Sequence, residues 1–266
     1  CHLGRCWFFI YMVHSSERPS GDGDASRPSR HGPRLAQVLS AVLGITALLA
    51  FVLFLFTGPW QLLVLYRDTT AVLAFDACLS AAFFAQHSGM IRRSFKAWFE
   101  NRVPEYYHGA IYSITAAICL YCVVLFWQVS EPVLVTANDP VRLAMRALFL
   151  AALGGIIWSN LALRSFDVFG LQALRCHLRG TSPPAATLTE RGPYRWVRHP
   201  QYFFVLVMIW CYPDLTADRL LFNVLWSAWI VAGTLMEERD LAVTLGDRYR
   251  EYQSRVPMLI PWRVPR

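Results

Sequence analysis

LAQVLSAVLGITALLAFVLFLFTG, residues 35–58, carries no charged side chain over 24 positions. As an α-helix it is long enough to cross a hydrocarbon core of about 30 Å, so it reads as a transmembrane span. The rest of the chain can be read outward from it. Apolar runs recur at about residues 70–90, 107–127 and 142–163, separated by short polar loops. After Pro200 the sequence stays apolar to Tyr212, breaks at Pro213-Asp214 and resumes over 220–236. That is the pattern of a helical hairpin whose first arm, about 13 residues, is too short to cross unaided. The expected fold class is all-α: a polytopic transmembrane bundle of about five to six helices, the last two a hairpin.

Composition agrees with a lipid solvent. Hydrophobic residues make up 55% of the 266 and charged residues only 16%, which excludes an ordinary soluble domain of this length. The net charge is +7, carried by Arg apart from Lys96. Because the basic residues sit in loops between apolar runs, they suit anionic lipid headgroups rather than nucleic acid. Arg27, Arg30 and Arg34 precede the first span, Arg92, Arg93, Lys96 and Arg102 follow the second, and six Arg between Arg164 and Arg198 follow the fourth. The alternate loops hold little but Arg67. By the positive-inside rule both termini and the arginine-rich loops are expected in the cytoplasm. Seven scattered cysteines give no disulfide or zinc framework, and Cys119-x-x-Cys122, inside an apolar run, reads as packing. Residues 1–34, rich in Ser, Gly, Pro and Arg, are expected to be disordered or a misassigned start, and residues 35–262 a single transmembrane domain.

The unusual polar residues gather at the cytoplasmic ends of these spans. Gln86-His87-Ser88 closes the second, Asp167 and Gly170 lie past the fourth, His199 opens the hairpin and Glu237-Glu238 closes it. Asp76, inside the second span, is expected to be either functional or packed against Arg142 or Arg146. In GPYRWVRHPQY, residues 192–202, Gly-Pro sets a turn, and Pro200 suits a first helical position whose free N–H groups favour an anion. Arg195 and Arg198 add donors for a carboxylate, and the aromatic rings add faces for a purine or a cation. Glu237 and Glu238 could hold ribose hydroxyls, an amino group or a sulfonium. Tyr249 and Tyr252 share one side of an amphipathic helix, which by itself points to an interfacial anchor.

GPYRWVRHPQY, followed by an apolar hairpin, EERDL, GDRYREY and VPMLIPW, resembles the C-terminal cofactor-binding region of the isoprenylcysteine carboxyl methyltransferase superfamily, here residues 188–262. AQHS at 85–88, FKAW at 95–98, residues 166–171 and HLRG at 177–180 are similar to its methanethiol S-methyltransferase and nurim-like branch. The resemblance covers about residues 70–262. It implies a membrane methyltransferase that binds S-adenosyl-L-methionine, with Tyr194, Arg198, His199, Pro200, Tyr202, Glu237, Glu238 and Tyr249 lining the cofactor pocket. The branch is expected to carry Glu-Arg-Ser near the start of the third span. This chain has Tyr107-His108-Gly109 instead, which bears on the acceptor and not on the cofactor.

Methyl transfer from a sulfonium requires donor and acceptor held in line in a dry site. A thiolate is the competent nucleophile, so His87 is expected to take the thiol proton or stabilise the thiolate, oriented by Asp167 if the two approach one another, with His199 second as base. Three functions follow: S-methylation of methanethiol or another small thiol to dimethyl sulfide; carboxyl methylation of a prenylated cysteine or N-methylation of a lipid headgroup; and a non-catalytic nurim-like membrane protein. No metal is expected, and the oligomeric state is not legible.

Overall fold

In the computed structural model the described residues are 31–131, 133–163, 167, 169–181 and 188–263. Residues 1–30, for which disorder is expected, lie outside them, as do residues 166 and 168 of the motif at 166–171. Among the described residues the elements are α1 (His31–Thr57), α2 (Thr69–Gly89), α3 (Arg93–Glu100), α4 (Glu105–Phe126), β1 (Val133–Thr136), α5 (Asp139–Ala162), α6 (Leu171–Arg179), α7 (Pro200–Trp210), β2 (Asp214–Thr216), α8 (Ala217–Leu245) and α9 (Asp247–Arg255). Helices α1, α2, α4, α5 and α8 are long and apolar enough to cross a membrane, and α7 is the shorter apolar arm of the hairpin. The chain is therefore an all-α, multi-pass membrane protein.

Local chemistry sets the boundaries. Asp68 and Asn138 cap α2 and α5 by accepting from the backbone N–H of Ala71 and Val141, and Pro200 opens α7. His31 to Arg34 already belong to α1, so that helix starts four residues before the apolar stretch. The apolar pattern gave no sign of β1 and β2. They form a small antiparallel ribbon, Val135 opposite Leu215 and Thr136 opposite Asp214, which joins the loop before α5 to the turn of the hairpin.

α1 packs along α4, α2 lies against α4 and α8, and α5 packs on α7. Without a hydrophobic force between helices in lipid, close packing has to hold them. Phe54, Trp127 and Phe222 form edge-to-face pairs at 5.2–6.0 Å in the fully buried centre. Such pairs are worth about 0.5–1.5 kcal/mol each. Gly170, in the left-handed conformation at φ +65°, touches Gly109 of α4 so closely that a Cβ on either would fall within 2.8 Å of the other's backbone. This contact, with the Ser40 hydroxyl donating to the Phe169 carbonyl, seats the loop before α6 between α1 and α4. The sequence departure at 107–109 thus has a packing consequence: Gly109 admits that loop, and His108 is buried with its ring bonded to the Val103 carbonyl.

Candidate functional site

The last turns of α8 bring Glu237 and Glu238 beneath the turn that precedes α7. Two backbone bonds hold that turn, from Arg198 N–H to the Pro257 carbonyl and from His199 N–H to the Met258 carbonyl. Glu238 is an acceptor in full use. It receives Arg198 Nε at 2.9 Å and Nη2 at 2.6 Å, His199 Nε2 at 2.6 Å, the Tyr249 hydroxyl at 2.6 Å and Gln253 Nε2 at 2.7 Å. Arg198 spends its remaining donor on the carbonyls of Gln253 and Val256. Burial opposes the charge on Arg198, but the Glu238 carboxylate beside it raises its pKa above the ordinary arginine value. Burial, and then the Glu238 charge, pushes the Tyr249 phenol far up, so it stays a hydroxyl donor.

These contacts change the roles expected from sequence. Arg198 meets Glu238 and the C-terminal backbone, where a grip on a ligand carboxylate was expected, and Glu238 is occupied by protein donors. Tyr249 and Tyr252 are 1% and 2% exposed, so neither is an interfacial anchor. Tyr249 bonds Glu238, and the Tyr252 hydroxyl donates to the Tyr194 carbonyl. Tyr194 and Pro200 are buried in the same turn.

Glu237 differs from its neighbour. It is 2% exposed and receives the Tyr202 hydroxyl, a neutral donor, at 2.8 Å, with His199 Nδ1 at 4.0 Å. The His199 ring stacks on that of Tyr202 at 5.7 Å. Glu237, Glu238, Arg198 and His199 therefore meet at the buried centre of the site. Carboxylates are groups that could hold an ammonium or sulfonium ligand.

Two turns back along α8, Trp229 packs against α2. His87, in the last turn of α2, lies against Phe83 at 5.3 Å and edge-on to Trp229 at 5.2 Å. Trp229 Nε1 donates to the Ser88 hydroxyl at 3.1 Å, and Phe84 stacks on Trp229 at 4.6 Å. The expected orientation of His87 by Asp167 gives way to another arrangement. Both Asp167 oxygens accept backbone N–H groups, Leu171 at 2.9 Å and Gln172 at 2.7 Å, and cap the start of α6. The hydroxyl beside the imidazole belongs to Tyr112 of α4, 3.0 Å from Nδ1 and 2.9 Å from Nε2. Sequence reading passed over Tyr112 because it lies within a span among apolar residues. The signal that could have found it is a phenol one turn past His108, close to one end of the third span.

Asp76 does not pack against Arg142 or Arg146. It accepts the Gln128 N–H at 3.0 Å at the opposite end of the bundle, whereas Arg142 bonds Asp214 and Arg146 lies over the Phe56 ring. No group of metal-ligating side chains occurs among the described residues.

Comparison with known proteins bears on the chemistry. The chain is 34% identical over 185 residues to methanethiol S-methyltransferase of Mycobacterium tuberculosis, covering 69% of this chain and 76% of the relative. It is 30% identical over 248 residues to methanethiol S-methyltransferase 1 of Bradyrhizobium diazoefficiens, covering 89% and 87%. Nurim of Rattus norvegicus is 27% identical over 203 residues, 73% of this chain and 77% of that protein. No family model and no solved structure matches.

Proposed function

We propose, on the premise that this chain belongs to the methanethiol S-methyltransferase family, that it methylates methanethiol or a similarly small thiol to give dimethyl sulfide, with S-adenosyl-L-methionine as methyl donor. The chain is a multi-pass membrane methyltransferase. The observation that supports the donor reading is the convergence of the buried Glu237, Glu238, His199 and Tyr202 at one end of α8, and the small-thiol reading follows from the family.

When bound, S-adenosyl-L-methionine supplies an electrophilic methyl on a cationic sulfur. Glu237 and Tyr202 hold a positive charge at the buried end of the site, and His199 and the Tyr194 turn wall it. Arg198, Glu238 and Tyr249 keep that wall in place. His87, whose ring lies against Trp229, itself eight residues or about 12 Å of helix rise before Glu237 on α8, takes the proton of the thiol. The aromatic rings around it exclude water, which favours displacement by a thiolate. Arginine-rich loops at this end of the bundle support a cytoplasmic site with both termini in the cytoplasm.

Detergent-purified protein given S-adenosyl-L-methionine and methanethiol is expected to release dimethyl sulfide, read by headspace gas chromatography. His87→Ala is expected to lower the rate about 100-fold or more while S-adenosylhomocysteine still binds by calorimetry. Binding without product would remove the acceptor assignment, and absence of both would remove the donor as well.

A further inference from the structure

The hydroxyl of Tyr112 stands 3.0 Å from Nδ1 and 2.9 Å from Nε2 of His87. A phenol can donate to a neutral imidazole nitrogen and accept from an imidazolium N–H, so the same contact serves both protonation states. Phe83 and Trp229 pack against the imidazole at 5.3 and 5.2 Å and limit its rotation. Tyr112 is held from a second side: its backbone carbonyl accepts from Thr115 Oγ1, which also receives Gln86 Nε2 at 3.0 Å, one position before His87 on α2. α4 and α2 are thereby cross-linked beside the imidazole.

We infer that Tyr112 is a positioning residue for the proton step, holding His87 so that one ring nitrogen receives the thiol proton while the phenol turns from donor to acceptor. This rests on the small-thiol reading above. In the step the S–H bond breaks and its proton forms an N–H bond on His87. The sulfur keeps the electron pair and forms the new S–CH3 bond, and the sulfonium donor leaves as a neutral thioether. The proton on His87 is released afterwards, which balances the charge lost by the donor.

The test uses the full chain and two acceptors of nearly equal size, methanethiol and methaneselenol, the second already ionised at neutral pH. Tyr112→Phe keeps the ring and removes the hydroxyl. With methanethiol its kcat is expected to fall about 10-fold or more with KM little changed, and with methaneselenol its kcat is expected to stay within about 2-fold of the unaltered protein. In a His87→Ala background, Tyr112→Phe is expected to add no further loss, because the hydroxyl acts through the imidazole. In ligand-free protein labelled with 15N-histidine, the His87 resonances are expected to shift in Tyr112→Phe, a readout independent of turnover. Equal losses with both acceptors, no loss with methanethiol, or unchanged His87 resonances would each overturn the positioning role. Absence of dimethyl sulfide from the unaltered protein would instead remove the small-thiol reading, and this inference with it.

Discussion

α8 is buried and charged at both of its ends. Near its C-terminus Glu237 and Glu238 are 2% and 6% exposed, and in its first turn Asp218 and Arg219 are 1% and 2% exposed. At the N-terminal end of α8, Asp218 accepts Trp127 Nε1, Ser130 N–H and the Ser130 hydroxyl, while Arg219 donates to the carbonyls of Leu55 and Ile209 and lies over the Tyr212 ring at 4.7 Å. These contacts close the ends of α1 and α7. Among the described residues, Asp76, Asp214, Asp218, Arg142, Arg146 and Arg219 are buried or half-buried there. At the other end Glu237 and Glu238 lie against Arg198 and His199. Buried ionisable groups alone therefore do not mark a site.

The sharpest way to break this comparison is Glu238→Ala. It leaves Arg198 and His199 buried without their acceptor, and truncating one member of such a pair costs about 3–5 kcal/mol. Thermal melting in detergent is expected to show a large loss of stability together with loss of S-adenosylhomocysteine binding. Glu237→Gln keeps an acceptor for the Tyr202 hydroxyl, so the fold is expected to survive. Affinity for a cationic donor is expected to fall about 10-fold or more as a charge-assisted contact becomes a neutral one, read by calorimetry. An unchanged affinity would place the donor elsewhere.

At the opposite end, Arg219→Met removes the donor shared by Leu55 and Ile209 and is expected to cost about 1–3 kcal/mol, with KM for donor and thiol unchanged. A changed KM would mean that the two ends are coupled. The smallest effect belongs to Asp214→Asn. The hydrogen bonds from Arg142 hold the Asp214 carboxyl below the ordinary value of 3.8. A depressed folded-state pKa contributes stability above that value and loses it as pH falls through the folded-state pKa. The drop in melting temperature is thus expected at neutral pH, smaller than that of Arg219→Met, and is expected to vanish in acid.

The spans were legible because a bilayer demands length and apolarity, both written directly in the chain. Cys119 and Cys122 are free thiols on α4, in keeping with their reading as packing residues. Asp218 and Arg219 were passed over: between Pro213 and Leu220 they look like a polar turn, and only the fold shows that the turn is buried under the ends of α1 and α7. The resemblance implied a pocket role for Tyr249, whereas its spacing from Tyr252 alone pointed to the membrane surface, since a helical period gives the shared side and not its neighbour.

What the sequence by itself determined is the class of molecule: several membrane spans, basic residues in alternate loops, and an ordered set of motifs at one end of the hairpin. Which donors those motifs keep for themselves was decided by tertiary structure. Arg198 belongs to Glu238, Asp167 to the first N–H groups of α6, and His87 lies beside Tyr112. Apolar length acts along one helix and can be read residue by residue. A hydrogen bond at 3 Å depends on where separate helices cross, and each polar group in these motifs had more than one chemically acceptable partner until packing chose.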